Sequence, residues 1–191
     1  MQYYSSIIFS RYPIVDSGLV RYPHPTLPEV LMHADIKIND DTIRVYTTHL
    51  QSLQFKKSDY NKISSIERVE QDSLLINSRT IISKMKRGII FRSIQAKIVN
   101  DEIKKSEHPT LLCGDMNDVP NSYTYKTVRG DMQDVFLKKG WGIGRTFNSL
   151  SPTLRIDYIF ADKNFRVLQV DRLVKNLSDH YMLVADVELK K

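Results

Sequence analysis

The hydrophobic period changes in the middle of the chain, and that change limits the fold more than any other feature. From Leu53 to Ser106 the apolar residues recur at helix spacing, as in Leu74, Leu75, Ile81, Ile82 and Met85, and then Ile90, Phe91, Ile94 and Ile98. Gly88 falls inside this block and predicts a break between two helices. On both sides the pattern is that of strands. Ser6 to Ser10 reads as a strand closed by Tyr12-Pro13-Ile14, and the prolines between Pro23 and Pro28 exclude regular structure there. Val30 to Asn39 and Ile43 to Leu50 follow, joined by the turn Asn39-Asp40-Asp41. After the helical block come Thr110 to Cys113, Arg155 to Ala161, Phe165 to Val170 and Tyr181 to Leu189. Strands, a helical block and strands again predict an α/β fold, two packed sheets with helices outside.

With 191 residues, 41% hydrophobic and 26% charged, residues 1–191 are the size of one domain with its own core. No apolar run is long enough to cross a bilayer as a helix, and the start Met1-Gln2-Tyr3-Tyr4-Ser5-Ser6 lacks the basic and apolar regions of a signal peptide. The compartment stays open, an upstream anchor or secretion signal included. Cys113 is the single cysteine, so disulfides and cysteine metal sites are excluded; its apolar run Thr110-Leu111-Leu112-Cys113 makes it a small buried hydrophobe.

A formal charge of +6 and a pI near 9.3 favour anionic partners: phosphate esters, nucleic acid or a membrane surface. The basic excess sits mostly in the helical block, at residues such as Lys56, Lys57, Lys84, Lys86, Arg87, Arg92 and Lys97. Solvated helix faces balanced by Glu67, Glu70, Asp101 and Glu102 account for it without any ligand.

Residues suited to acid–base and phosphate chemistry stand at the ends of separate apolar strands. His49 follows Tyr46-Thr47-Thr48, Asp115 and Asn117 follow Leu111-Leu112, Asp157 lies in Arg155-Ile156-Asp157-Tyr158-Ile159, and Asp179-His180 precede Tyr181-Met182-Leu183-Val184. Each alone has a plain structural reading: a hydrogen-bonded histidine, an aspartate turn, a strand cap. Their recurrence at four strand ends is the signal for one shared site, because hydrolysis of a phosphoester needs an activated water, donors against developing charge and an acid for the leaving oxygen.

Thr48-His49-Leu50, Gly114-Asp115-Met116-Asn117, Arg155-Ile156-Asp157-Tyr158-Ile159-Phe160 and Ser178-Asp179-His180 resemble, in order, the signature motifs of the endonuclease/exonuclease/phosphatase superfamily. Phe9-Ser10-Arg11-Tyr12-Pro13-Ile14 resembles the strand that enters the middle of that domain, so the likeness runs from about residue 7 to the C-terminus. The resemblance implies a DNase I-like four-layered α/β sandwich and a magnesium-dependent phosphoesterase, with manganese as the alternative ion. It implies that Asp115 activates water or serves the leaving group and that Asn117 holds the attacking water or a phosphate oxygen. His180 would contact the scissile phosphate with its tautomer fixed by Asp157, His49 would be a second phosphate donor, and Asp179 would help bind the metal.

The family's first strands bring an asparagine and a metal-binding glutamate, and neither is found here; Glu29 falls in the wrong order. The expectation is therefore a chain lacking the domain's first strands, weak or inactive alone, with an incomplete sheet open to self-association. The alternative is a catalytically silent phosphate-binding or interaction domain; a basic nucleic-acid-binding module ranks behind both. In the loop Gly140-Trp141-Gly142-Ile143-Gly144-Arg145-Thr146-Phe147, Arg145 is the candidate substrate-binding residue, and Trp141 or Phe147 either stacks on a base or packs inward. The substrate is a phosphoester, with nucleic acid and phospholipid headgroups among the candidates.

Overall fold

The computed structural model describes residues 6–23, 30–53, 71–148, 153–175 and 177–190. Glu29 and the start of the helical block, residues 54–70, lie outside the described residues. Strands β2 (Val30–Ile38) and β3 (Asp41–His49) form a hairpin closed by Asn39-Asp40, with Asn39 at φ 56°, a left-handed conformation that its short polar side chain tolerates. Strand β1 (Ile14–Arg21) pairs antiparallel with β2 at the sheet edge. Helix α1 (Gln71–Lys104) then carries the chain to β4 (Thr110–Asp115), which lies parallel to β3. A parallel neighbour requires such a crossover, and this is what the long helical block does in the fold.

Beyond β4, a short helix α2 (Tyr123–Arg129) begins at Ser122, whose hydroxyl accepts from the Tyr125 amide at 3.0 Å. Strand β5 (Gln133–Asp134) and helix α3 (Val135–Lys139) follow; β6 (Asp157–Ala161) pairs antiparallel with both β4 and β5. The result is a six-stranded mixed sheet, β1-β2-β3-β4-β6-β5, and a separate antiparallel pair, β7 (Phe165–Leu173) with β8 (Met182–Leu189).

Strand alternation puts a core on each face of the large sheet. Leu31, Tyr46, Leu112, Tyr158 and Phe160 meet Ala96 and Val99 of α1 and Tyr125 and Val128 of α2. On the opposite face Ala34, Ile36, Ile43 and Ala161 meet Phe165, Val167 and Val170 of β7. The protein is thus an α/β fold with α1 and α2 on one face of a mixed sheet and a second sheet, beside the short α3, on the other. A fourth layer is not seen among the described residues.

Two expectations are corrected. Ser6 to Ser10 is not a strand: Ile7 and Phe9 are exposed, and no described strand pairs with the segment. The edge position beside β2 is taken instead by Ile14–Arg21, downstream of Pro13. Gly88 does not break the helix, which runs on to Lys104. A glycine costs about 1 kcal/mol inside a helix. Here it admits the chain after β3, because a Cβ at 88 would lie 2.8 Å from Cδ2 of Leu53.

Gly114 is a second close approach: a Cβ there would stand 2.0 Å from the Thr48 carbonyl oxygen on β3. Gly114→Ala must push the central strands β3 and β4 away from each other. A loss of about 3 kcal/mol in urea unfolding is expected, the upper range for an overpacked core. A midpoint equal to that of the unaltered protein would show that β3 and β4 are not held this closely.

Candidate active site

The register of β4 with its two neighbours puts three of the candidate side chains in one row. Asp115 stands opposite His49 on β3 and opposite Asp157 on β6, and directly paired residues on adjacent strands face the same side of a sheet. His180 joins the row from outside the sheet. The segments around Phe147 and His180 bridge each other, with the Tyr181 amide donating to the Thr146 carbonyl at 2.7 Å and the Asn148 amide to the Asp179 carbonyl at 3.0 Å. This places His180 Nδ1 3.0 and 3.2 Å from the Asp157 oxygens. His180 Nε2 lies 4.0 Å and His49 Nε2 3.7 Å from Asp115 Oδ2.

Asn117 has φ 50° and turns the chain back on β4. Its backbone amide donates to Asp115 Oδ1 at 2.7 Å, and its side-chain amide donates to Asp115 Oδ2 at 3.2 Å and to the Leu50 carbonyl at 2.9 Å. The carboxylate is thereby held while the turn is tied to the end of β3. The structure brings together His49, Asp115, Asn117, Asp157 and His180, residues that lie up to 131 positions apart in the chain (180 minus 49).

Asp179 and Arg145 sit beside this group. The Asp179 carboxylate accepts from the Ser178 hydroxyl at 3.3 Å. Arg145 donates to the Tyr181 hydroxyl at 2.8 Å and lies over that ring, one residue past His180. A cavity of about 400 Å³ is lined by Asp115, Asp157, His180 and Tyr181 together with Cys113 and Met182. Asp115, Asp157 and His180 offer ligand atoms within 4.8 Å of one another, a group that does not include Asp179.

Burial raises the Asp115 pKa to about 7, and the negative charge of Asp157 adds to the rise against the opposing pull of the Asn117 amide, His180 and Arg92. His180 is shifted upward, chiefly by its hydrogen bond to Asp157 and then by the charges of Asp157, Asp115 and Asp179, with burial opposing. His49 is shifted down by burial and by His180. The cleft therefore holds a carboxyl that exchanges its proton near neutrality beside an imidazole that tends to keep its own.

Three residues support the site in roles that the sequence did not fix. Thr146, fully buried, accepts from the Ile156 and Asp157 amides at 3.0 and 3.1 Å and so places the start of β6. Phe147 packs its ring 4.9 Å from that of His180, so it is turned inward, while Trp141 is 97% exposed. Arg92, grouped above with solvated helix charges, is instead buried: it donates to the Gln51 carbonyl at 3.0 Å and to Asp118 at 3.1 Å. An arginine in helical register with Ile81, Ala96 and Val99 was the available sign.

Residues 2–180 match the model of the endonuclease/exonuclease/phosphatase family, and the chain belongs to that family. Comparison with curated proteins gives no match. Solved structures with the same fold include a conserved protein of unknown function from Enterococcus faecalis V583, at TM-score 0.66 and 18% identity, covering 93% of this chain and 67% of that one. The mannosyl-6-phosphatase of Bacteroides thetaiotaomicron VPI-5482 aligns at TM-score 0.55 and 18% identity, covering 93% and 67%. TDP2 of D. rerio in complex with a single-stranded DNA product aligns at TM-score 0.62 and 16% identity, covering 93% and 69%. The chain spans about two thirds of each of these structures. At such identities the likeness is one of fold.

The raised pKa of Asp115 makes a signed statement about stability. The folded protein keeps a proton that the unfolded chain releases near pH 4, so stability falls as pH rises from about 4 to about 7 and the loss is complete above that. Asp115→Asn removes this penalty. The rise from about 4 to about 7 corresponds to at most roughly 4 kcal/mol, and an amide gives up part of this by weakening the bonds that the carboxyl accepts from Asn117. For the variant a net gain of roughly 1 kcal/mol, about 3 °C in melting temperature, is expected in a chelating buffer at pH 8. The gap should close at pH 4; an equal gap at both pH values would show that the buried charge is not the cause.

Proposed function

We propose that the cleft is the catalytic site of a metal-dependent phosphoester hydrolase. One observation supports it most: Nε2 of His49 and Nε2 of His180 both face Asp115 Oδ2, at 3.7 and 4.0 Å. These separations are too long for hydrogen bonds and short enough for both rings and the carboxyl to meet at a phosphate oxygen or water between them.

In this reading Asp157 holds the Nδ1 proton of His180 and favours the imidazolium, so that Nε2–H donates to a phosphate oxygen as charge builds there. Asp115, with a pKa of about 7, takes a proton from the attacking water or gives one to the leaving oxygen. Asn117 keeps that carboxyl oriented and is the candidate for holding the water; neutral His49 is the second donor. Arg145, seated on Tyr181 beside His180, would bind a more distant portion of the substrate.

The donor set fits a hard divalent cation. Burial first, and then the charge of Asp157 across the same cleft, raise the pKa of Asp115, a penalty that a cation relieves. Asp115 and Asp157 would hold magnesium or manganese, with Asp179 adding negative field through the neighbouring His180. When bound, the ion supplies a Lewis acid for the phosphate oxygens. The substrate class is a phosphomonoester or phosphodiester; a sugar phosphatase and a protein holding single-stranded DNA share the fold.

Hydrolysis of p-nitrophenyl phosphate and bis-p-nitrophenyl phosphate, with magnesium, manganese or chelator, tests this reading. Asp115→Asn and His180→Gln should each lower kcat by about 10²-fold or more, and Arg145→Ala should act mainly on KM. Turnover that survives Asp115→Asn unchanged, or that ignores chelation, would remove the carboxyl or the metal from the mechanism.

A further inference from the structure

Helix α1 is apolar on two faces. One is spent on the fold: Ile81, Gly88, Arg92, Gln95, Ala96 and Val99 recur at helical spacing and are buried. The other is turned to solvent. Ile82, Met85, Ile89, Ile90 and Ile94 follow at i, i+3, i+7, i+8 and i+12, and their exposures run from 41% at Ile94 to 60% at Ile82. At 3.6 residues per turn they form one strip about half the helix circumference wide. Large side chains left in water over three turns are an exposed patch that calls for a partner.

The charges identify that partner. From Ser73 to Asn100 the sequence has six basic residues and no acidic one. Lys86 and Lys97, both exposed, fall within the strip, and exposed Arg87 borders it. Cations inside an apolar strip are poorly suited to a dry contact between proteins, where they would be desolvated, and isoleucines add nothing to nucleic-acid binding. The same combination suits the headgroup region of an anionic bilayer. Isoleucine side chains enter the acyl boundary there, and lysine and arginine stems lie along the apolar surface with their heads on lipid phosphates. Among the described residues no helix is long and apolar enough to cross a membrane, and the strip runs along one side of α1, so the contact proposed is one in the membrane plane.

We propose that the exposed Ile82–Ile94 face of α1 docks the protein on bilayers containing anionic phospholipid. This stands independently of the hydrolase reading. The opposite, buried face of the same helix is tied to the cleft, because Gly88 packs on Leu53 and Arg92 holds Gln51 and Asp118, in the loops that follow His49 and Asn117.

Cosedimentation of the whole chain with vesicles of phosphatidylcholine containing phosphatidylserine, against phosphatidylcholine alone, reads the proposal directly. Binding should be at least about ten-fold tighter to the anionic vesicles and should weaken with salt. Lys86→Gln with Arg87→Gln should reduce it about thirty-fold at low salt. Ile82→Ser with Ile89→Ser should reduce it about ten-fold while the salt dependence persists. All four positions are exposed, so melting curves should stay put; should the serine pair melt early, Lys86→Glu alone carries the test. No binding, equal binding to both vesicle types, or variants that bind as the unaltered protein does would overturn the proposal. So would a dimer in sedimentation velocity that Ile89→Ser dissociates while vesicle binding is absent, since the strip would then face a second copy.

Discussion

The site depends on the register of β4. Because Asp115 is paired with His49 on one side and Asp157 on the other, three polar side chains project from one row, two of them carboxylates close enough to repel. A slip of one residue in either ladder would send Asp115 to the opposite face, into the core beneath the helices. Gly114 belongs to the same constraint, since only a residue without a Cβ lets β4 lie this close to Thr48. Packing and chemistry are thus set by one alignment.

What surrounds the row converts alignment into electrostatics. The Asn117 turn grips Asp115, Thr146 places the amides at the head of β6, and Phe147 and Asp157 hold the ring of His180 from two directions. Below them, Arg155 and Asp134 form a buried ion pair, with contacts of 2.9 and 3.0 Å, that anchors the loop before β6. Such a pair adds little net stability and much orientation, because either charge left alone in the core would be costly. The cost of crowding negative charge in the cleft is carried by this scaffold, and it is also what suits the site to a cation and to proton exchange near neutral pH.

Much of this was legible in the chain. The strands β2, β3, β4, β6, β7 and β8 follow from apolar alternation bounded by turns, and polar residues at strand ends marked where a site would form. The less regular elements were not legible. Strand β1 begins directly after a proline and buries little, α2 and α3 are single turns or two, and Gly88 carries the same local signal whether it ends a helix or admits a neighbour. Arg92 and Thr146 were hidden for a similar reason: their roles are defined by partners 26 and 11 residues away, respectively.

By itself the sequence determined the class of fold, the family and the identities of the side chains at the strand ends, because hydrophobic period and local motif are properties of short stretches of chain. Only the tertiary structure decided that burial, and then the charge of Asp157, push the Asp115 carboxyl up to a pKa of about 7. It also decided that Phe147 turns inward while Trp141 does not, and that one face of α1 is left apolar and basic in water. The physical reason is common to all three. Burial, charge proximity and exposure are sums over neighbours distant in sequence, and they have no value until the sheet brings those neighbours together.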